Sequence, residues 1–265
     1  MLELNKIYFE DCLTGMQQID DKSIDMILCD LPYGTTACPW DVIIPFDLLW
    51  NQYKRIIKNN GCIALFGSEP FSSFLRLSNI KWFKYDWIWK KTMSGGFVHA
   101  KNKPLKKHEI ISIFSPGTTV HKSQSKNRMT YNPQMSIGEP FKRFMKSGTG
   151  GTILHSNSKS NIDFIGKELV NDGTRYPISV IEFSNGNNHS VHHTQKPVDL
   201  CEYLIKTYTN ENELVLDNCI GSGTTAEACM NTKRNFIGFE NDPKYFEIAN
   251  KRITNHILER NKNAF

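Results

Sequence analysis

The stretch "NELVLDNCIGSGTTAEACMNTKRNFIGFEND", residues 212–242, decides the fold. It reads as a short apolar strand, a glycine-rich turn, a helix and a second strand that ends on an acid, which is one complete βαβ unit. Gly221-x-Gly223-x-x-Ala226 follows the first strand and opens the helix, and Glu240 ends the next strand. Glycines there let a ligand approach the backbone, and an acid at the second strand's tip can bind ribose hydroxyls. The pattern does not choose between NAD and another adenosyl cofactor, and a tight structural turn would give the same letters. Only 42 residues follow Gly223. That is too short for the second half of a dinucleotide fold, so the remaining strands must come from the N-terminal part.

That part supplies them. "KIYF" (6–9), "IDMILCD" (24–30) and "GCIALFGS" (61–68) are short apolar runs ending on polar or small residues, as in parallel strands covered on both faces. Between the last two, Leu49, Tyr53, Ile56 and Ile57 share one helical face, with Pro45 before it and Gly61 after it. A second helix follows Pro70, with Phe71, Phe74 and Leu75 expected to face inward. "YDWIWKKT" and "HEIISIFS" read as a strand hairpin at one sheet edge. From 115 to 184 the sequence turns rich in Ser, Thr, Asn, Gly and Lys and reads as a loop-rich insert. A helix then returns at Pro197, with Val198, Cys201, Leu204, Ile205 and Tyr208 as its stripe. The expected division is 1–114 with 185–265 as one domain and 115–184 as the insert.

The second informative stretch is "CDLPYGTTACPWD", residues 29–41. Asp30 at the C-terminal end of a parallel strand faces the crevice where α/β sheets bind ligands. Pro32 stiffens the backbone, and Tyr33 offers an aromatic face. A rigid acid and carbonyl beside an aromatic ring suit a planar group bearing an amino nitrogen, such as a nucleobase. An acid-to-proline turn with no ligand is the plainer reading of these four residues taken alone. Trp40 and Asp41 would either wall such a pocket or anchor its loop.

Composition narrows the class. No apolar run is long enough to span a bilayer, and no secretory signal is visible, so a cytoplasmic protein is expected. Seven cysteines without a C-x-x-C pair read as buried reduced thiols. Between Lys84 and Lys146 stand 13 Lys and Arg against three acids, Asp86, Glu109 and Glu139, while the whole chain carries only +5. Such segregation points to a polyanion, nucleic acid first. His189, His192 and His193 lack a fourth ligand at recognisable spacing, so no metal is expected.

Together these motifs resemble the amino-group DNA methyltransferases that use S-adenosylmethionine, in the permuted (β) motif order. The family's Asp-Pro-Pro-Tyr motif stands as Asp30-Leu31-Pro32-Tyr33, and its cofactor motif as "DNCIGSGTT" (217–225) near the C-terminus. "HTQKPVDL" (193–200) matches the His-Pro-Thr-Gln-Lys-Pro segment that helps bind the methionine part of the cofactor. "YFEDC" (8–12) matches the strand whose acid, Asp11, would approach the adenine, while "WIWKK" (87–91) and "HEIISIF" (108–114) match later strands. Two positions depart from the family: Leu31 replaces a proline, and Asn218-Cys219 replaces a Pro-Phe pair, which loses an aromatic contact.

The resemblance implies an α/β fold with a Rossmann-like methyltransferase sheet, mostly parallel with an antiparallel edge hairpin, circularly permuted, plus a target-recognition insert. It implies methyl transfer from S-adenosyl-L-methionine to N6 of a flipped adenine in double-stranded DNA, because an Asp in the first position goes mainly with adenine. Alternatives are N4 of cytosine or an inactive DNA-binding relative. An NAD-dependent oxidoreductase is a rival of another class, and an RNA or protein-glutamine methyltransferase is a nearer one. Asp30, Leu31, Pro32 and Tyr33 would form the catalytic set. Asp11, Asp30, Thr194, Lys196, Asp217, Cys219, Gly221, Ser222, Gly223, Thr224 and Glu240 would hold the cofactor. Lys101, Lys103, Lys106, Lys107, Lys122, Lys126, Arg128, Lys142 and Arg143 would meet DNA, with Asn127, Asn132 and Gln134 also suited to base contacts. A homodimer and a separate restriction nuclease are left open as partners.

Overall fold

The computed structural model describes residues 2–35, 41–120, 127–144, 168–185 and 195–262. In chain order these form β1 (Lys6–Phe9), α1 (Cys12–Met16), β2 (Ile24–Cys29), α2 (Phe46–Ile56), β3 (Ile57–Gly67), α3 (Phe71–Ser78), β4 (Phe83–Gly95) and β5 (Lys106–Phe114). Then follow β6 (Ser136–Ile137), β7 (Phe141–Phe144), β8 (Glu168–Asn171), β9 (Thr174–Arg175) and β10 (Val180–Phe183). The chain closes with α4 (Val198–Tyr208), β11 (Leu214–Asp217), α5 (Thr224–Asn231), β12 (Asn235–Glu240) and α6 (Pro243–Lys262).

Eight strands make one sheet in the order β1-β12-β11-β2-β3-β5-β4-β10. β1, β12, β11, β2 and β3 are all mutually parallel. β5 runs against both β3 and β4, so β4 points the same way as the parallel set. The hairpin expected at the edge is present but lies one strand inward, because β10 adds in parallel to β4. C-terminal β11 and β12 complete the sheet that the N-terminal strands begin, which is the permuted order the motifs implied.

Two apolar layers flank the sheet, and they explain the unbroken apolar strands. Met26 and Leu28 of β2, with Cys62, Ala64 and Phe66 of β3, face the layer built on α4 and α5. Ile27 and Cys29, with Ile63 and Leu65, face the opposite layer containing α2. Alternate side chains of one strand therefore meet different helices. The α4 stripe is buried at Cys201, Leu204, Ile205 and Tyr208. Two helix expectations need correction: Phe74 is exposed, and Ile57 opens β3 instead of closing α2. Buried Ser72 takes the place expected for Phe74 in the α3 interface. Six described cysteines are free thiols, five of them buried. No helix among the described residues is long and apolar enough to cross a membrane.

The chain divides into two compact units, one of Met1–Asn132 with Ser179–Phe265 and one of Pro133–Ile178. Both ends of the 115–184 segment fall in the first unit. Ser115 is buried and donates to the Gly61 carbonyl at 2.7 Å, and Val180–Phe183 is a strand of the main sheet. The second unit contains two antiparallel ribbons, β6 with β9 and β7 with β8.

One buried polar contact ties α2 to the loop after β11. The Tyr53 hydroxyl donates to the Asn218 side-chain oxygen at 2.5 Å, and both residues are almost wholly buried. Leaving that oxygen without a donor in a dry layer removes more than the bond itself. Tyr53→Phe is expected to lower unfolding free energy by about 1–3 kcal/mol in urea titration; an unchanged midpoint would contradict this role.

Candidate functional site

Parallel strands deliver their following loops to one edge of the sheet. Glu10 and Asp11 follow β1, Asn218–Gly221 follow β11, Asp30–Tyr33 follow β2, and Glu240 ends β12. A cavity of about 770 Å³ opens along this edge, lined among others by Asp11, Asp30, Tyr33, Lys196, Gly221 and Glu240. Leu31, Pro32, Asp217, Cys219, Ser222 and Thr224 border it too. The structure thus brings the acid–Pro–Tyr loop and the glycine turn, nearly two hundred residues apart, into one cleft.

Asp30 is held from two sides. Tyr33 donates its hydroxyl to Oδ1 at 2.6 Å, and the Lys196 ammonium sits 2.5 Å from Oδ2. Lys196 is buried and lies 3.4 Å from Glu109, which Lys91 also contacts. Burial works against charge on Lys196, yet Asp30 and Glu109 hold its pKa above the ordinary lysine value. Burial pushes the Glu109 carboxyl up as well, but the two lysines outweigh it and keep its pKa low. The Tyr33 hydroxyl is driven well up by burial and by the charge of Asp30, so it serves as a donor. The Tyr33 ring stacks on Phe71, centroids 4.9 Å apart.

The loop itself is pinned by a residue whose role the sequence left open. Asp41 Oδ1 accepts from the backbone N–H of Tyr33 at 2.7 Å and of Gly34 at 2.8 Å, and Oδ2 accepts from Thr35 at 2.9 Å. Asp41 therefore anchors the loop; Trp40 lies outside the described residues. Leu31 points into the core, so the departure from proline supplies an apolar anchor and leaves its carbonyl in the loop.

Around the glycine turn, several residues expected to hold the cofactor also build the local turns. Glu240 Oε2 accepts from Gly221 N at 2.8 Å, and Oε1 from Asn241 and Asp242 at 3.0 and 2.9 Å. Asp217 accepts from Thr225 Oγ1 at 2.6 Å and Cys219 N at 3.1 Å. Burial raises the Asp217 carboxyl to about 7 despite these donors. Asp11 caps α1, accepting from Leu13 and Thr14 at 2.9 and 3.2 Å. Gly221 has φ +54°, and a Cβ there would meet nothing within 4 Å, which leaves its backbone bare to the cavity. Gly223 (φ +83°) acts differently: its Cβ would crowd Ala249 at 3.2 Å, so it lets α5 and α6 pack. Arg252 of α6, unforeseen in the sequence, donates to Ser222 O at 3.2 Å and Thr224 Oγ1 at 3.1 Å and pairs with Glu227. Thr194 and the three histidines lie outside the described residues.

The basic residues separate into groups. Lys101, Lys103, Lys106 and Lys107 are exposed in or beside the turn joining β4 to β5, at the cavity edge of the sheet. Arg128 sits in a segment bonded to Asn60, at the start of β3 and thus at the far end from Asp30. Asn132 donates to the Thr209 carbonyl at 3.0 Å and so fastens the chain to the end of α4. Lys142 and Arg143 are exposed on β7 in the second unit, where Lys142 faces Glu168 at 4.0 Å. Lys122 and Lys126 lie outside the described residues.

A permuted, mostly parallel sheet with an acid–Pro–Tyr loop and a glycine turn in one cleft defines a methyltransferase-type α/β fold. Residues 24–251 match the family model for N6/N4 methyltransferases, described as DNA methylase, and the chain belongs to that family. It is 28% identical to the type II methyltransferase M1.MboII of Moraxella bovis, over 94% of this chain and 96% of that protein. In fold it is similar to the M1.HpyAVI–SAM complex, with a TM-score of 0.58 and 23% identity, covering 94% and 98% of the two chains. The cytosine-N4-specific PvuII DNA methyltransferase gives a TM-score of 0.63 at 14% identity, covering 95% and 90%.

The raised carboxyl of Asp217 has a pH consequence. An acid whose pKa is higher folded than unfolded favours the folded state while protonated, and that contribution is lost as pH rises toward the folded pKa. Wild type is therefore expected to lose Tm relative to Asp217→Asn between about pH 4 and pH 7, with a constant difference above. Parallel melting profiles would show that Asp217 does not titrate in this range.

Proposed function

We propose that this chain transfers methyl from S-adenosyl-L-methionine to the exocyclic N6 of a flipped adenine in double-stranded DNA. The observation carrying the reading is the shared cavity: the Asp30-Leu31-Pro32-Tyr33 loop and the bare backbone of Gly221 border the same space. The residues present suit that cofactor. The cleft is large enough for a nucleoside with a side arm. Gly221 permits close approach, the acids Asp11 and Glu240 stand at the two strand tips expected for the adenosine, and Lys196 and Asp30 offer opposite charges toward the amino acid end. When bound, the cofactor supplies an electrophilic methyl on a sulfonium.

An exocyclic amino nitrogen is a poor nucleophile because its lone pair is delocalised into the ring. Asp30 and the carbonyl of Leu31 or Pro32 would each accept one of its N–H groups. This localises the lone pair on the nitrogen and aims it along the transfer line. A carboxylate has about four lone-pair sites, so Asp30 can accept from the base while Tyr33 and Lys196 keep their bonds. In this reading Tyr33, backed by Phe71, would stack on the base. After transfer the nitrogen's proton leaves to Asp30 or to water. A base inside a duplex cannot reach this cleft, so the target must swing out of the stack. Adenine is favoured over cytosine because the first position of the loop is Asp30.

Nucleosides from DNA treated with the protein and methyl-labelled cofactor, resolved by mass spectrometry, test the reading. Label in N6-methyl-2′-deoxyadenosine is expected. Label only in N4-methyl-2′-deoxycytidine would overturn the adenine assignment, and no label in DNA would overturn the activity.

A further inference from the structure

Beyond the cleft, the turn between β4 and β5 carries an apolar tip that folding does not explain. Because β4 runs parallel to β3, its C-terminal end emerges at the same sheet edge as Asp30. There Gly96 adopts φ +88°, a conformation suited to glycine, and starts a single 3-10 turn over Phe97–His99. His99 N donates to Gly96 O at 2.9 Å, Ala100 N to Phe97 O at 3.1 Å, and Lys103 N to His99 O at 3.0 Å. The turn is thus internally hydrogen-bonded, yet it leaves Phe97 67% and Val98 92% exposed.

Its surroundings indicate what covers it. Residues 90–107 contain six lysines and no acid. Lys90 and Lys91 pair with Glu182 and Glu109, whereas Lys101, Lys103 and Lys107 have no ion pair among the described residues. A second hollow, about 400 Å³, runs from this turn to the catalytic loop, with Gly96, His99 and Lys103 at one side and Tyr33 at the other. An apolar point ringed by cations beside a base-accepting loop matches a polyanion with a stackable interior. A second copy of this chain would bring the same uncompensated lysines against each other.

We propose that Phe97 and Val98 form a wedge that enters the base stack of duplex DNA and fills the gap left by the flipped target, while Lys101, Lys103 and Lys107 contact the flanking phosphates. The proposal rests on the DNA-methylating reading above. Apolar side chains inserted at a base step are an established way to unstack a duplex, and cations around them position the backbone. A wedge acts on the flipping equilibrium and not on transfer, so its loss is repaired by any substrate whose target is already unpaired.

The test uses the full chain and two duplexes carrying the sequence found methylated, one with adenine at the target for the kinetics and one with 2-aminopurine there as the reporter of flipping. Phe97→Ala/Val98→Ala is expected to cut the fluorescence gain and kcat/KM on paired DNA by about tenfold or more, and to recover to within about threefold when an abasic site faces the target. Phe97→Leu/Val98→Ile, which keeps the apolar volume, is expected to retain flipping. Wild-type flipping in the double alanine variant, or a defect that the abasic partner fails to repair, would overturn the wedge. A dimer that falls to monomer on the alanine substitutions would reassign this tip to self-association. If wild type labels no DNA at all, it is the underlying functional reading that fails.

Discussion

A lysine ammonium nine-tenths buried must be paired, and Lys196 is paired twice, with Asp30 and with Glu109. That requirement ties together the loop after β2, the strand β5 and the segment before α4, which are far apart in the chain. Removing one partner of such a set leaves charge stranded in a poor solvent, whereas the intact set holds each carboxylate in one place. Asp30 is therefore positioned before any ligand arrives. Tyr33 fixes its other oxygen, and Asp41 fixes the backbone of Tyr33. The loop proposed as catalytic is short of regular structure but not short of restraint.

The glycine turn follows the same logic from the other side of the cleft. Gly221 is open toward the cavity while Glu240 grips its N–H and Arg252 holds Ser222 and Thr224. Tyr53 steadies Asn218 in the buried layer beneath. Where the family has a Pro-Phe pair, Asn218 instead takes part in this buried hydrogen bond. Leu31 similarly exchanges a proline's stiffness for a place in the core.

Much of this was legible in the letters. Strand-length apolar runs, prolines before helices and the 212–242 unit placed the sheet and its permutation, because periodicity and turn chemistry are local. The pairing of Asp30 with the glycine turn came from the resemblance to the permuted methyltransferases, which implies that β11 lies beside β2, as it does. What was hidden depended on side chains meeting across the fold. In the sequence Glu109 counts only among the three acids of the basic segment, and Arg252 is not singled out at all. Glu240 was readable as a ribose ligand from its spacing, yet its oxygens also build the turn. Phe74 failed because a helical wheel cannot say how wide the covered stripe is. Arg128 lies at the far end of the sheet from Asp30, and a basic segment does not reveal which end of a sheet it reaches.

The most direct measurement is single-turnover methyl transfer to the identified DNA site by Asp30→Asn at saturating cofactor, beside a calorimetric titration of the same variant. Asn keeps the shape but loses one acceptor and the charge that answers Lys196. Cofactor binding that remains detectable, with a transfer step slowed at least about 100-fold, is the expected result. Transfer at the wild-type rate would contradict the assignment of Asp30 as the acceptor for the target's amino group.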